Sequence, residues 1–236
     1  MTDRARRSAA DAWAFRARVE QEAALRFDRL AVNIAEFDPG SPVPELMRRA
    51  ADDERRHTQL CAELARSLGA SLSLGQAAVP EIAPHHLGRR QAALYEVVAA
   101  ACITETESMS TLATLLEAGA EPLVRDVLHA IAKDEVVHSR MGWAHLSREA
   151  ERGDVTFLSE LVPVMLAGTV DEGLFGPRPA DEDPDGLLRL GVLPHAQKRE
   201  VFLGTLTEVV FPGLDRFGVD ARPARTWLAE RTAAPI

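Results

Sequence analysis

Residues 52–57 read DDERRH and residues 133–138 read KDEVVH, so Asp-Glu-x-x-His occurs twice, as Asp53-Glu54-x-x-His57 and Asp134-Glu135-x-x-His138. With 15 Asp, 21 Glu and 7 His in 236 residues, random order gives roughly 0.04 occurrences, so a pair is expected in about one such chain in a thousand. On a helix, Glu at i and His at i+3 lie about 60° apart and one turn up, so both side chains can point at one metal ion. Each motif supplies half of a two-metal site, and the rest of the chain has to supply the other half.

Working outward, apolar periodicity and breakers mark four long helices, at about residues 9–37, 43–68, 89–118 and 121–150. The links FDPGSPVPE and EAGAEP are short, whereas LGASLSLGQAAVPEIAPHHLG is a connection of about 20 residues between the second and third helices. Short links join antiparallel neighbours, and about 20 extended residues can run back along a helix of roughly 40 Å. Helices two and three are therefore expected to be parallel, in an all-α four-helix bundle with one long crossover over residues 1–152. Residues 153–236 form a C-terminal helical extension packed on it: FLSELVPVMLAGTV, AQKREVFLGTLTEVVF and ARTWLAER read as helices, with a Pro/Gly/Asp-rich stretch from Gly176 to Pro194.

A dinuclear carboxylate site in such a bundle needs one further inward Glu on each of the other two helices. On the first helix Glu20 shares a face with Trp13, Ala17, Ala24 and Phe27, with Arg16 the one charged exception, while Glu22 faces with Arg18, Arg26 and Arg29. On the third, Glu105 lies with Val98, Ala101, Cys102, Met109 and Leu112, and Glu107 with Thr104, Ser110, Thr111 and Thr114. Glu20 and Glu105 are the inward pair. Burying ionised carboxylates on apolar faces costs several kcal/mol each unless a cation compensates. Glu20, Glu54, His57, Glu105, Glu135 and His138 thus read as the metal-binding and catalytic set for two Fe ions, with manganese or a mixed Fe/Mn pair fitting the same oxygen-rich ligation. Asp53 and Asp134 read as partners for the distal N–H of the His on the facing helix.

The remaining features narrow the class. A net charge of -9 without a basic stripe argues against nucleic acid, and no run of about 18 apolar residues suggests a membrane span or a signal peptide. A cytoplasmic protein is expected, with Cys61 and Cys102 as reduced thiols. Trp13, Phe15 and Phe27 read as packing residues and His145 as a hydrogen-bonded structural histidine. His85, His86 and His129 read as solvated or structural.

The chain resembles the ferritin-like di-iron carboxylate superfamily, especially the bacterial ferritin-like domain proteins, over roughly residues 12–148. The resemblance rests on Glu20, DERRHTQLC, CITET and AKDEVVH. It implies a di-iron oxidase or oxygenase that uses O2 on a small-molecule substrate in the bundle core, with an electron donor as a further partner; the long tail, which the resemblance does not cover, reads as a lid or a homodimer contact. The alternatives are a ferroxidase for iron storage or detoxification and a non-catalytic helical module stabilised by its metals. A rubrerythrin would add a Cys-x-x-Cys iron site, which this sequence lacks.

Overall fold

The Ala5 backbone N–H donates to Thr2 Oγ1 at 3.1 Å, and from that cap α1 (Asp3–Phe37) runs unbroken in the computed structural model, which describes residues 2–75, 79–170 and 172–233. The helix begins six residues earlier than its apolar pattern suggested. Its first turns are tied down by Arg6, which donates to the carbonyls of Ser67 (2.8 Å) and Leu68 (3.2 Å) at the end of α2 (Val43–Ser67). Those carbonyls are the unpaired acceptors that every helix C-terminus leaves.

The third helix is not one α-helix. It comprises α3 (Arg89–Val97), a π-helical segment (Val98–Thr104) and α4 (Glu105–Glu117), with Thr104 Oγ1 donating to the Ala99 carbonyl at 3.0 Å across the wide turn. The fourth helix, α5 (Pro122–Arg152), places Gly142 against this segment. A Cβ at Gly142 would lie 2.6 Å from Ala101 Cβ and 2.8 Å from the Ala101 carbonyl carbon.

Side-chain pairs fix the topology. Arg6 meets the end of α2, so α1 and α2 are antiparallel. Arg16 meets Ser108 and Arg26 meets Glu96, so α1 and the third helix are antiparallel too. Helices two and three are therefore parallel and a crossover joins them; its residues 76–78 lie outside the described residues. The fold is all-α, and no strand occurs among the described residues.

The extension is more broken than expected. The region read as one helix at 157–170 is a 3-10 turn (Thr156–Leu158) followed by α6 (Val162–Thr169), and a second 3-10 turn spans Glu172–Phe175. The Pro/Gly/Asp-rich stretch holds α7 (Pro184–Arg189), whose Gly186 N–H donates to Asp183 Oδ1 at 2.9 Å. Next come α8 (His195–Thr205), a π segment (Leu206–Val210), α9 (Phe211–Arg216) and α10 (Arg222–Ala233). Gly191 turns the chain at φ +72°, where a Cβ would lie 2.5 Å from Val124 Cγ1, and the adjacent Leu190 carbonyl accepts from Trp13 Nε1 at 2.8 Å.

Two apolar clusters fill the bundle interior, one around Trp13, Cys61, Leu112 and Ile131 and one around Phe27, Ile34, Met47 and Met141. Between them lies a level occupied by carboxylates and imidazoles. A third cluster joins the bundle to the extension, packing Val98, Cys102, Ile103 and Leu146 with Val162, Leu206 and Phe211.

Candidate metal centre

All six residues expected to meet do meet, and each is at most 5% exposed. Ligand atoms of Glu20, Glu54, His57 and Glu135 lie within 4.8 Å of one another, as do those of Glu54, Glu105, Glu135 and His138. Glu54 and Glu135 belong to both groups, so the two clusters share their central carboxylates. The helical reason is simple: Glu54 shares its face with the buried Ala50, Ala51 and Cys61, and Glu135 with the buried Leu128, Ile131 and Gly142, so both point into the bundle.

The two histidines are strapped crosswise. His57 Nε2 lies 3.2 Å from Asp134 Oδ2, and His138 Nε2 lies 3.2 Å from Asp53 Oδ2. Arg56 bridges the two aspartates from outside, at 2.6 Å to Asp53 and 3.0 Å to Asp134. An N–H at each Nε2 leaves the Nδ1 lone pair facing the carboxylates. His57 Nδ1 sits 3.0 Å from Glu54 Oε2, and His138 Nδ1 sits 2.8 Å from Glu54 Oε1 and 3.4 Å from Glu135 Oε2.

The 2.8 Å approach of His138 to Glu54 is short enough for a hydrogen bond but is not aimed as one. Glu54 Oε1, Glu135 Oε2 and His138 Nδ1 are all buried without a directed partner among the described residues. Orphaned acceptors that converge on one volume are costly unless something cationic sits between them. Four carboxylates and two imidazoles match the donor set and charge of a pair of divalent cations.

Without such cations the cluster holds protons. Burial pushes Glu20 up to about 8 even with Arg16 beside it, and burial with the neighbouring Glu135 pushes Glu105 well above the usual carboxylate range. Burial also opposes the ionisation of Glu54, but the close imidazoles of His138 and His57 outweigh it and hold the group at about 2. Burial lowers His138, but the carboxylates of Glu135 and Glu54 beside its Nδ1 outweigh that and raise it to about 11. Metal ions entering here would displace those protons.

Arg16, which appeared only as the charged exception on an apolar face, belongs to the site. Its Nε donates to Glu20 Oε1 at 2.8 Å and its Nη2 to Ser108 Oγ at 2.9 Å. Ser108 Oγ in turn donates to Glu135 Oε1 at 3.1 Å. The signal was the i,i+4 spacing to Glu20, which pairs charges on one helix face. A cavity of about 610 Å³ opens onto this group and reaches Glu20 and Glu105, walled by α1, the third helix and residues 191–193 and Lys198 of the extension.

Several lesser expectations change. Phe15 is 65% exposed and lines that cavity, and Glu107 lines it too. His145 is buried with Nδ1 lacking a partner among the described residues, and burial holds it down to about 4. Phe27 packs edge-on against His138 with ring centroids 6.1 Å apart. Cys61 and Cys102 are free, buried thiols, both pushed up by burial. No helix among the described residues is long and apolar enough to cross a membrane.

Comparison with known proteins places this geometry. No protein with a curated description matches the sequence. A solved structure from Synechococcus, described as protein 19 with aldehyde deformylating oxidase activity, aligns with a TM-score of 0.61 at 18% identity, covering 96% of this chain and 97% of that one. The rubrerythrin family model matches residues 15–145, the segment that carries all six clustered residues. That match spans more than half the chain, and the chain belongs to the rubrerythrin family of ferritin-like proteins through this four-helix segment, although it lacks the Cys-x-x-Cys site expected above of a rubrerythrin.

Proposed function

We propose that this protein is a di-iron carboxylate oxidase or oxygenase that uses O2 to oxidise a small organic substrate. The observation that carries the reading is the cavity of about 610 Å³ opening directly onto Glu20 and Glu105, a volume suited to an organic molecule. An oxidase of iron alone needs only a path the width of an ion.

In this reading Glu20 and His57 serve one ion, Glu105 and His138 the other, and Glu54 and Glu135 both. The bound iron pair supplies the electrons for O2 reduction, and manganese in one or both places fits the same ligands. The chain's own part is positional. Asp134 and Asp53 hold the imidazole tautomers, Arg16 and Ser108 hold Glu20 and Glu135, and the apolar clusters on either side exclude water. Membership of the rubrerythrin family supports non-haem iron. The activity given for the similarly folded Synechococcus protein favours an organic substrate over mineral formation. An external electron donor completes the cycle if the reaction is an oxygenation.

The test is to load metal-free protein anaerobically with graded Fe(II), admit O2 and count the iron oxidised rapidly per chain. A plateau near about two irons is expected. Continued turnover into a mineral core would make the protein a ferroxidase. If chelation lowers the melting temperature while no O2 is consumed, the metals serve only stability.

A further inference from the structure

From the unspent hydrogen-bond donors of the cavity we infer that the substrate carries a carboxylate, bound by the Arg16 guanidinium beside the metal centre. The inference rests on the di-metal reading and deepens it by naming a substrate class. Donor accounting carries it. The lining hydroxyls donate elsewhere: Thr104 to the Ala99 carbonyl, Ser108 to Glu135, Thr111 to Glu107 and Thr169 to the Leu166 carbonyl. Trp13 Nε1 is spent on Leu190. Of the lining cations, Arg18 and Lys198 are exposed to solvent and Arg26 is paired with Glu96. Arg16, in contrast, is held beside the carboxylate cluster, with Nε and Nη2 on Glu20 and Ser108 and Nη1 without a partner among the described residues.

Charge points the same way. Two divalent ions balance the four carboxylates Glu20, Glu54, Glu105 and Glu135, which leaves Arg16 as a surplus positive charge on the cavity side. Asp53 and Asp134, with Arg56 between them, lie on the opposite side of the histidines. Of the other charged residues that line the cavity, Arg26 is paired with Glu96, Arg18, Glu22 and Lys198 are exposed to solvent, and Glu107 accepts from Thr111. A surplus cation in a partly desolvated cavity attracts an anion far more strongly than one in water. The apolar remainder of such a substrate would rest on Val19, Ala99, Ala100, Leu115 and Leu193. Its carboxylate at Nη1 would set the adjoining carbons beside Glu20 and the metals.

The competing chemistry is an amine read by Glu107, whose Oε1 accepts from Thr111 at 3.1 Å. Protein loaded with redox-inert zinc(II), its ion content counted by elemental analysis, is titrated calorimetrically with hexanoate, hexanamide and hexylamine. Hexanoate should bind at least about tenfold more tightly than the other two, the scale of one charge-assisted hydrogen bond in a partly buried site. Arg16→Gln should erase that preference, and Arg16→Lys, which keeps the charge, should restore part of it.

Equal affinities, or a preference for hexylamine, overturn the inference in the wild-type protein alone, whatever the variants do. A hexanoate preference that survives Arg16→Gln assigns the carboxylate to the metal and overturns it as well. Failure to take up zinc overturns the metal reading itself, together with the charge surplus built on it. Loaded protein without a carboxylate preference leaves that reading standing.

Discussion

Glu20 and Glu54 are both buried carboxylates of one cluster, yet their removal should have different consequences. Glu54 lies in both groups of converging ligand atoms and Glu20 in only one. Glu20→Ala should leave about one ion per chain, whereas Glu54→Ala should leave less than about one, because both sites lose a shared ligand. Elemental analysis after dialysis distinguishes them, and equal loss in the two variants would contradict the bridging assignment. His145 yields a second prediction at this scale. Its folded-state value of about 4 lies below the ordinary 6.5, so the unfolded chain binds the proton first. The stability it contributes is complete above about pH 6.5, falls as pH drops through the window and levels off below about pH 4, for a total of up to roughly 3 kcal/mol. In urea unfolding, His145→Leu should flatten the decline across that window; an unchanged slope would place the titration elsewhere.

Among the elements, the third helix shows best how local geometry serves the site. A π segment is rare and locally less favourable than an α-turn, and it persists where the surroundings demand it. Here it brings the backbone of Ala101 against Gly142 and delivers Glu105 into the cluster at its C-terminal end. Gly142→Ala has no room: its Cβ would meet Ala101 at 2.6 Å. Overpacking of this kind should cost about 1–3 kcal/mol, read as a lowered urea midpoint with an unchanged slope. A neutral outcome would mean that α5 and the π segment can slide apart. The periodicity of residues 89–118 announced one helix and could not announce this bulge, because the extra residue per turn changes only which neighbours meet, not which residues are apolar.

At the scale of the whole molecule, the boundary near residue 152 separates segments of sequence more clearly than it separates cores. Val98, Cys102, Ile103 and Leu146 of the bundle share one apolar cluster with Leu158, Val162, Leu206 and Phe211 of the extension. Trp13 spends its indole N–H on Leu190, and residues 191–193 complete the cavity wall. A chain ending at residue 152 should therefore expose much of that cluster and aggregate, or melt without cooperativity in calorimetry. A sharp, soluble transition would show that the bundle stands alone.

The repeated Asp-Glu-x-x-His, the inward faces of Glu20 and Glu105 and the one long connection were legible in the sequence. Each is a matter of spacing along a helix or of link length, and helical geometry converts spacing into direction without outside help. The crosswise straps, His57 to Asp134 and His138 to Asp53, were legible for the same reason, since both motifs repeat the same offsets on antiparallel helices. Tertiary structure alone decided the early start of α1, the π segment, the split helices of the extension and the cavity lined by Phe15, Glu107 and Arg16. These depend on contacts between residues distant in sequence: Arg6 with the end of α2, Gly142 with Ala101, and Lys198 with the mouth of the bundle. A single helix face records which side is apolar. It does not record what packs there, and packing determines which charged side chains are left facing a substrate.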